Sequence, residues 1–217
     1  MKRALLTLGL TVSLATPATG QWLGEPAWNH PNAGTGFTIY GDYTQPSSEA
    51  GGGNAVGGRI TLGAGTFILT GGVSSWKKDL VSERVTTFGG TAAFRLIGGS
   101  LIPVALNLQL GGGHSLEITS STTTVPVQTT LLAAVGLSVP LPTPVVRVEP
   151  YVSPGIRYHH YANAAPNQTN FGWVIGGNVG FGPIGIHVAY DSEKFDDGKR
   201  HGVLGIGANI ELRPSGP

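Results

Sequence analysis

The sequence predicts an all-β fold, an antiparallel up-and-down transmembrane β-barrel of about ten strands, with about eight as the alternative. Three observations lead there. Apolar and polar residues alternate in segments of about ten residues, the period of a strand with two unlike faces. Ile184, Ile186, Val188 and Tyr190 fall on one face, and Gly185, His187, Ala189 and Asp191 on the other. Connectors then alternate between short, uncharged turns and longer, charged loops, the pattern of periplasmic turns and external loops in such barrels. Finally, only 12% of the residues are charged, yet no stretch after the N-terminal leader is long and apolar enough for a transmembrane helix.

Residues 1–20 read as a secretory signal. Lys2 and Arg3 give the positive start, residues 4–15 an apolar run too short to span, and Ala18, Thr19 and Gly20 a small-residue cleavage point. Residues 21–35 hold Trp22, Trp28 and two prolines and read as an irregular lead-in. The barrel domain follows over residues 36–213, with a tail at 214–217.

The first strand, residues 36–43, turns Phe37, Ile39 and Tyr43 to lipid, and a polar loop follows at 45–54. The second, 55–64, places Val56, Ile60 and Leu62 outward and Arg59 and Thr61 inward. Gly65 turns the chain into a third strand, 66–76, that alternates less cleanly. After a charged loop at 77–84, Phe88, Ala92, Phe94 and Leu96 face out against Thr91, Ala93 and Arg95. Residues 98–100 turn into a fifth strand with Val104, Leu106, Leu108 and Leu110 out and Asn107 and Gln109 in. A Ser/Thr loop at 119–124 leads to Leu131, Ala133, Val135 and Leu137, which face out against Thr130, Gly136 and Ser138. Residues 142–144 turn the chain again. The seventh strand carries Val148, Val152, Ile156 and Tyr158 outward and a polar face of Arg147, Glu149, Ser153, Arg157 and His159. A loop at 162–170 precedes Phe171, Trp173, Ile175, Val179 and Phe181. Gly182 and Pro183 then turn into the last two strands, which the loop 193–201 separates.

Aromatics group at both ends. Tyr43, Trp76, Phe88, Tyr158, Phe171, Trp173 and Tyr190 lie near the loops, and Phe37, Phe67, Phe94 and Phe181 near the turns. Two such girdles mark where lipid tails meet headgroups. A soluble sandwich or lipocalin-type barrel would also alternate, but with its apolar faces inward. The small, glycine-rich second face and the strand lengths favour the membrane form. No cysteine is present, so no disulfide staples the chain, and a net charge of +1 offers nothing toward nucleic acid.

On this pattern the chain resembles the small bacterial outer-membrane β-barrels, the group that includes adhesion, opacity and membrane-integrity proteins. The resemblance implies an outer-membrane location and partners in outer-membrane lipid, lipopolysaccharide and the barrel-assembly machinery. The terminal run, residues 210–217, departs from the aromatic ending common in that group. A narrower likeness lies at His160-Tyr161-Ala162-Asn163, which is similar to the His-x-Ser-Asn segment of outer-membrane lipid A deacylases. Ala162 stands where their serine nucleophile would be, and alanine has no hydroxyl to acylate.

The predicted lumen collects Asp42, Arg59, Arg95, Glu117, Arg147, Glu149, Arg157, His159, His187, Asp191 and Glu211. Buried charges need partners, so these groups are expected to pair across the interior and plug it. The inward glycines argue the other way, since they leave room for water and a solute path. The loop bearing Asp191, Glu193, Asp196 and Asp197 lacks the spacing of a calcium loop, and its lysines and arginine compete for those carboxylates. His114, His159 and His160 with Asp42 or Asp191, and the run His114, Ser115 and Glu117, hint at hydrolase chemistry without a diagnostic spacing. The expectation is a structural or surface-interaction barrel, without catalysis, metal or cofactor, whose external loops could meet a ligand. A narrow solute channel and a lipid A-modifying enzyme at the outer rim are the alternatives.

Overall fold

The computed structural model describes residues 22–31, 35–79, 81–99, 102–119, 124–141, 143, 145–162 and 166–212. The expected signal at 1–20, the tail at 214–217 and the turns at Ser100, Pro142 and Pro144 lie outside the described residues. Among the described residues twelve strands run in chain order: β1 Gly36–Pro46, β2 Asn54–Ala64, β3 Phe67–Lys77, β4 Arg84–Gly99, β5 Ile102–Ser115, β6 Ile118–Thr119, β7 Thr124–Val125, β8 Gln128–Ser138, β9 Arg147–Tyr161, β10 Gln168–Phe181, β11 Ile184–Lys194 and β12 Arg200–Leu212. Ten form one closed antiparallel barrel, ordered β1-β12-β11-β10-β9-β8-β5-β4-β3-β2. The short β6 and β7 pair only with each other, as a ribbon in what the sequence suggests is a plain loop.

Ten strands form because ten segments alternate for long enough to pair along their length. Closure comes from β1 against β12, in register from Phe37 opposite Leu212 to Pro46 opposite Val203. Every barrel strand therefore has two neighbours and the barrel has no open edge, which a membrane demands. The two-residue turns at Gly65 and Gly182 need positive φ at the first central position, and these glycines take φ 65° and 56°.

The apolar faces point outward. Leu131, Ile156, Ile184 and Phe181 are each more than half exposed, and a band of Val, Leu and Ile continues around the wall. Among the described residues no Asp or Glu stands on the outer face of a strand. Arg or Lys at the midplane of that band would cost roughly 2–4 kcal/mol. In β4 a register shift between Arg95 and Ile97 turns both Leu96 and Ile97 outward.

Two expectations need correcting. Trp76 is not part of the outer girdle: it is buried inside the barrel and donates its indole N–H to Gly52 O at 3.0 Å. Strands also pair past the expected boundaries at the loop ends. Thus β3 includes Lys77 and β11 includes Glu193 and Lys194, because ladder hydrogen bonds continue above the apolar band.

Candidate functional site: the occupied lumen

The interior is filled by the segment expected to be an irregular lead-in. Residues 22–29 are buried, with Trp22, Leu23, Ala27 and Trp28 among the core. Trp22, Ala27 and Trp28 form one apolar cluster with wall residues Leu132, Ala134, Tyr151, Val174 and Ala189. Nearer the loops, Leu23 packs with Ala55, Trp76 and Val85, and Ile118 and Val125 of the β6–β7 ribbon close over that cluster.

Polar wall residues satisfy the backbone of the segment, since a buried peptide group needs a partner. Thr44 donates to Gly24 O at 2.5 Å, Ser74 to Leu23 O at 3.2 Å and Gln109 to Trp28 O at 3.0 Å. Asp191 accepts from Ala27 N–H at 2.8 Å. Asn29 donates to Ser153 Oγ at 2.8 Å and accepts from Asn107 at 2.8 Å. The segment passes from the loop half, at Trp22, to the turn end, at His30.

The expected charges fall into separate groups. Asp42 accepts from Arg59 Nε at 2.9 Å and lies 2.5 Å from His187 Nε2. The Arg59 guanidinium sits 4.0 Å from the Tyr40 ring centre and 4.8 Å from that of Trp28, so the pair also clamps the segment. The second group joins Arg157, Asp191 and His159 with Glu193. Arg157 Nη1 donates to Asp191 at 2.6 Å and Glu193 at 3.2 Å. His159 Nε2 lies 2.6 Å from Glu193 Oε1, and Asn170 donates to the same oxygen at 2.9 Å. On the other ring nitrogen, Gln128 Nε2, which can only donate, lies 3.2 Å from His159 Nδ1. Thr130 Oγ1 lies 3.1 Å from the same nitrogen, so both ring nitrogens of His159 are engaged.

Glu193 is the functional residue missing from the expected set, which leaves it in an external loop. It shares strand parity with Asp191, so alternation continued by two residues would have found it. Glycines explain how these groups meet across an intervening strand. A Cβ on Gly207 would lie 2.5 Å from His187 Nε2, and one on Gly172 would lie 2.7 Å from Arg157 Nη1. His187 thus reaches over β12, and Arg157 over β10. Other inward glycines admit the segment itself: a Cβ on Gly205 would lie 2.8 Å from Pro26 and Trp28, and one on Gly57 2.7 Å from Glu25. The room that glycine leaves holds protein, so the expected argument from glycine to an aqueous path fails.

The remaining expected residues lie apart. Arg147 and Glu211 form a 3.0 Å pair at the turn end, its side chains 47% and 24% exposed. Glu149 accepts from Ser138 at 2.6 Å nearby. Arg95 is half-buried on the inner face of β4. Glu117 is not a lumen residue: it lies beyond the end of β5 and is exposed, because the strand stops at Ser115. A cavity of about 370 Å³ opens at the turn end, lined by His30, Tyr40, Arg147, Glu149, Asn178 and Glu211 among others.

The hydrolase hints are not assembled. His159 faces the lumen while His114 and His160 face out. The Ser115 hydroxyl accepts the Gln128 backbone N–H. Among the described residues no group of three or more His, Asp and Glu is arranged to hold a metal ion. In the external loop, Asp197 is held below the usual carboxylate range by the Lys199 backbone N–H, with His201 adding to the effect.

No family model and no curated protein matches the chain. Among solved structures, one described as a bacterial polysaccharide outer membrane secretin superposes with TM-score 0.50 at 12% identity, covering 82% of this chain and 65% of its own. This chain thus spans less than two thirds of that protein. The β domain of the Bordetella autotransporter BrkA gives 0.48 at 12% identity, covering 83% and 100%. Neisserial surface protein A gives 0.38 at 16%, covering 82% and 98%. At such identities the likeness is one of fold, and the fold is that of bacterial outer-membrane β-barrels.

Proposed function

We propose that this is a sealed integral barrel of the bacterial outer membrane, with a structural or surface-interaction role carried by its external loops and without catalysis. One observation carries the reading: the lumen is occupied by residues 22–29 of the same chain, held by apolar packing and by wall hydrogen bonds. The two buried charge groups then serve as anchors for that segment rather than as the lining of a solute path. Asp191 binds both Arg157 and the Ala27 amide, and Arg59 stacks on Trp28. The cavity at the turn end has His30, at the end of the same segment, in its wall.

Planar-bilayer recording tests this reading. The intact protein is expected to show no steady conductance steps, and a variant lacking residues 22–31 is expected to conduct. Steady steps from the intact protein that scale with salt would instead favour a narrow channel. Lipid A mass spectra from cells with and without the protein are expected to be the same; a changed acylation pattern would defeat the non-enzymatic reading.

A further inference from the structure

The turn-end cavity gathers charges that the seal does not use. It measures about 370 Å³, and its wall includes His30 from the end of the inserted segment, Tyr40, Arg147, Glu149, Asn209 and Glu211. That volume lies at the lower end of the range for small-molecule sites. Residues 22–29 fill the lumen beyond it. The cavity is therefore a blind cup, open on the turn side, which is the periplasmic side in this architecture.

Glycine gives the cup its room. Gly180 of β10 is directly opposite both Arg147 of β9 and Gly185 of β11, so neither glycine puts a side chain between Arg147 and Glu211 of β12. The guanidinium lies over Gly180, where a Cβ would come within 2.9 Å of Nη2 and 3.2 Å of Nε. Nη2 donates to Gly182 O at 3.1 Å and lies 3.0 Å from Glu211 Oε2. Nη1 and Nε have no such contact among the described residues, and the guanidinium carries five N–H donors in all.

Carboxylates stand close by. Glu149 follows Arg147 by two residues on the same face of β9, about 7 Å along the strand. It accepts from Ser138 at 2.6 Å, and a carboxylate has about four acceptor sites, so an ammonium fits beside that bond. The Arg147 side chain is 47% exposed, and a solvated ion pair contributes little to stability. One guanidinium and two carboxylates on one cup suit a ligand that carries both signs close together. A bare anion would meet two carboxylates, and a bare cation the guanidinium.

We propose that the cup binds a small zwitterion, an amino acid or a short peptide, with Arg147 holding its carboxylate and Glu149 and Glu211 its ammonium. The proposal rests on the sealed-barrel reading and adds a ligand to it, since the seal makes the cavity a receptor instead of a stage on a path.

The test is calorimetric titration of the full chain, folded in mild detergent, with alanine, dialanine, N-acetylalanine and alaninamide. N-acetylalanine lacks the ammonium, and alaninamide lacks the carboxylate. Alanine or dialanine is expected to bind saturably, and about tenfold or more tightly than either capped form. The tighter of the two names the source, free amino acid or peptide. Arg147→Gln is expected to erase the preference over alaninamide and keep that over N-acetylalanine. Glu149→Gln combined with Glu211→Gln is expected to do the reverse, a crossed pattern that misfolding would not produce. Heat-dependent gel mobility verifies that the variants are folded, and the comparison of capped forms on the intact protein needs no variant. No saturable binding of alanine or dialanine, equal binding of the capped forms, or preferences unchanged in the variants would overturn the proposal. Steady conductance of the intact protein would instead defeat the seal, so the two failures are distinguishable.

Discussion

The two ends of the lumen use the same residue types to different effect. In the loop half, Arg157, Asp191, Glu193 and His159 are at most 1% exposed and bind one another and the inserted segment. At the turn end, Arg147 and Glu211 make a 3.0 Å pair that is partly exposed to solvent, beside an open cavity. Buried charges are expensive to strand, whereas a solvated pair is worth little. Stability should therefore be concentrated in the loop half, where the segment is tied down.

The largest expected effect tests that concentration. Arg157→Leu leaves Asp191 and Glu193 buried without their cation and should cost about 3–5 kcal/mol in urea unfolding of the folded barrel. A loss below 1 kcal/mol would mean that water already reaches those carboxylates. Next comes Gly205→Val. Its side chain would enter the space of Pro26 and Trp28, and overpacking of this kind costs about 1–3 kcal/mol. Tryptophan emission should shift to the red and bilayer conductance should appear; unchanged emission would show that the segment does not sit against β12.

Lys78 gives a pH-dependent contrast in the external region. It lies 4.8 Å from the Trp76 ring centre, and burial pulls its ammonium down from 10.5 to about 8. Between those values the unfolded chain binds more protons than the folded one, so this group makes stability rise as pH increases from about 8 to 10.5. Below that window its charged form is buried and the cost is complete. Lys78→Met should flatten the slope in urea midpoints measured across the window; an unaltered slope would assign the dependence elsewhere. The smallest effect belongs to the turn end: Arg147→Gln should change stability by less than about 1 kcal/mol, and a larger loss would erase the contrast between the ends.

The outer wall was legible because lipid imposes one rule on every outward residue. Ile184, Ile186, Val188 and Tyr190 repeat at period two, and closure then follows from strand count and connector length. The inner arrangement obeys no such rule. Trp22 and Trp28 lie in a segment with no period, so their destination has to be found from volume: two large indoles need cover, and Gly89 and Gly205 supply it. Glu193 was hidden by a boundary placed two residues early, and Trp76 by taking an aromatic near a loop as a girdle residue although Ser74 and Trp76 share the inner face. Asp42 with His187, and Arg157 with Asp191, meet only across an intervening strand, a relation that alternation along one segment cannot express.

The central claim, that the chain seals its own barrel, is most directly tested by thiol accessibility. The sequence has no cysteine, so Ala27→Cys introduces a single buried thiol and Ser48→Cys a single exposed control. A sealed lumen predicts that a membrane-impermeant maleimide labels the Ser48 variant promptly, and the Ala27 variant only after unfolding. Labelling of the folded Ala27 variant at the rate of the control would contradict it.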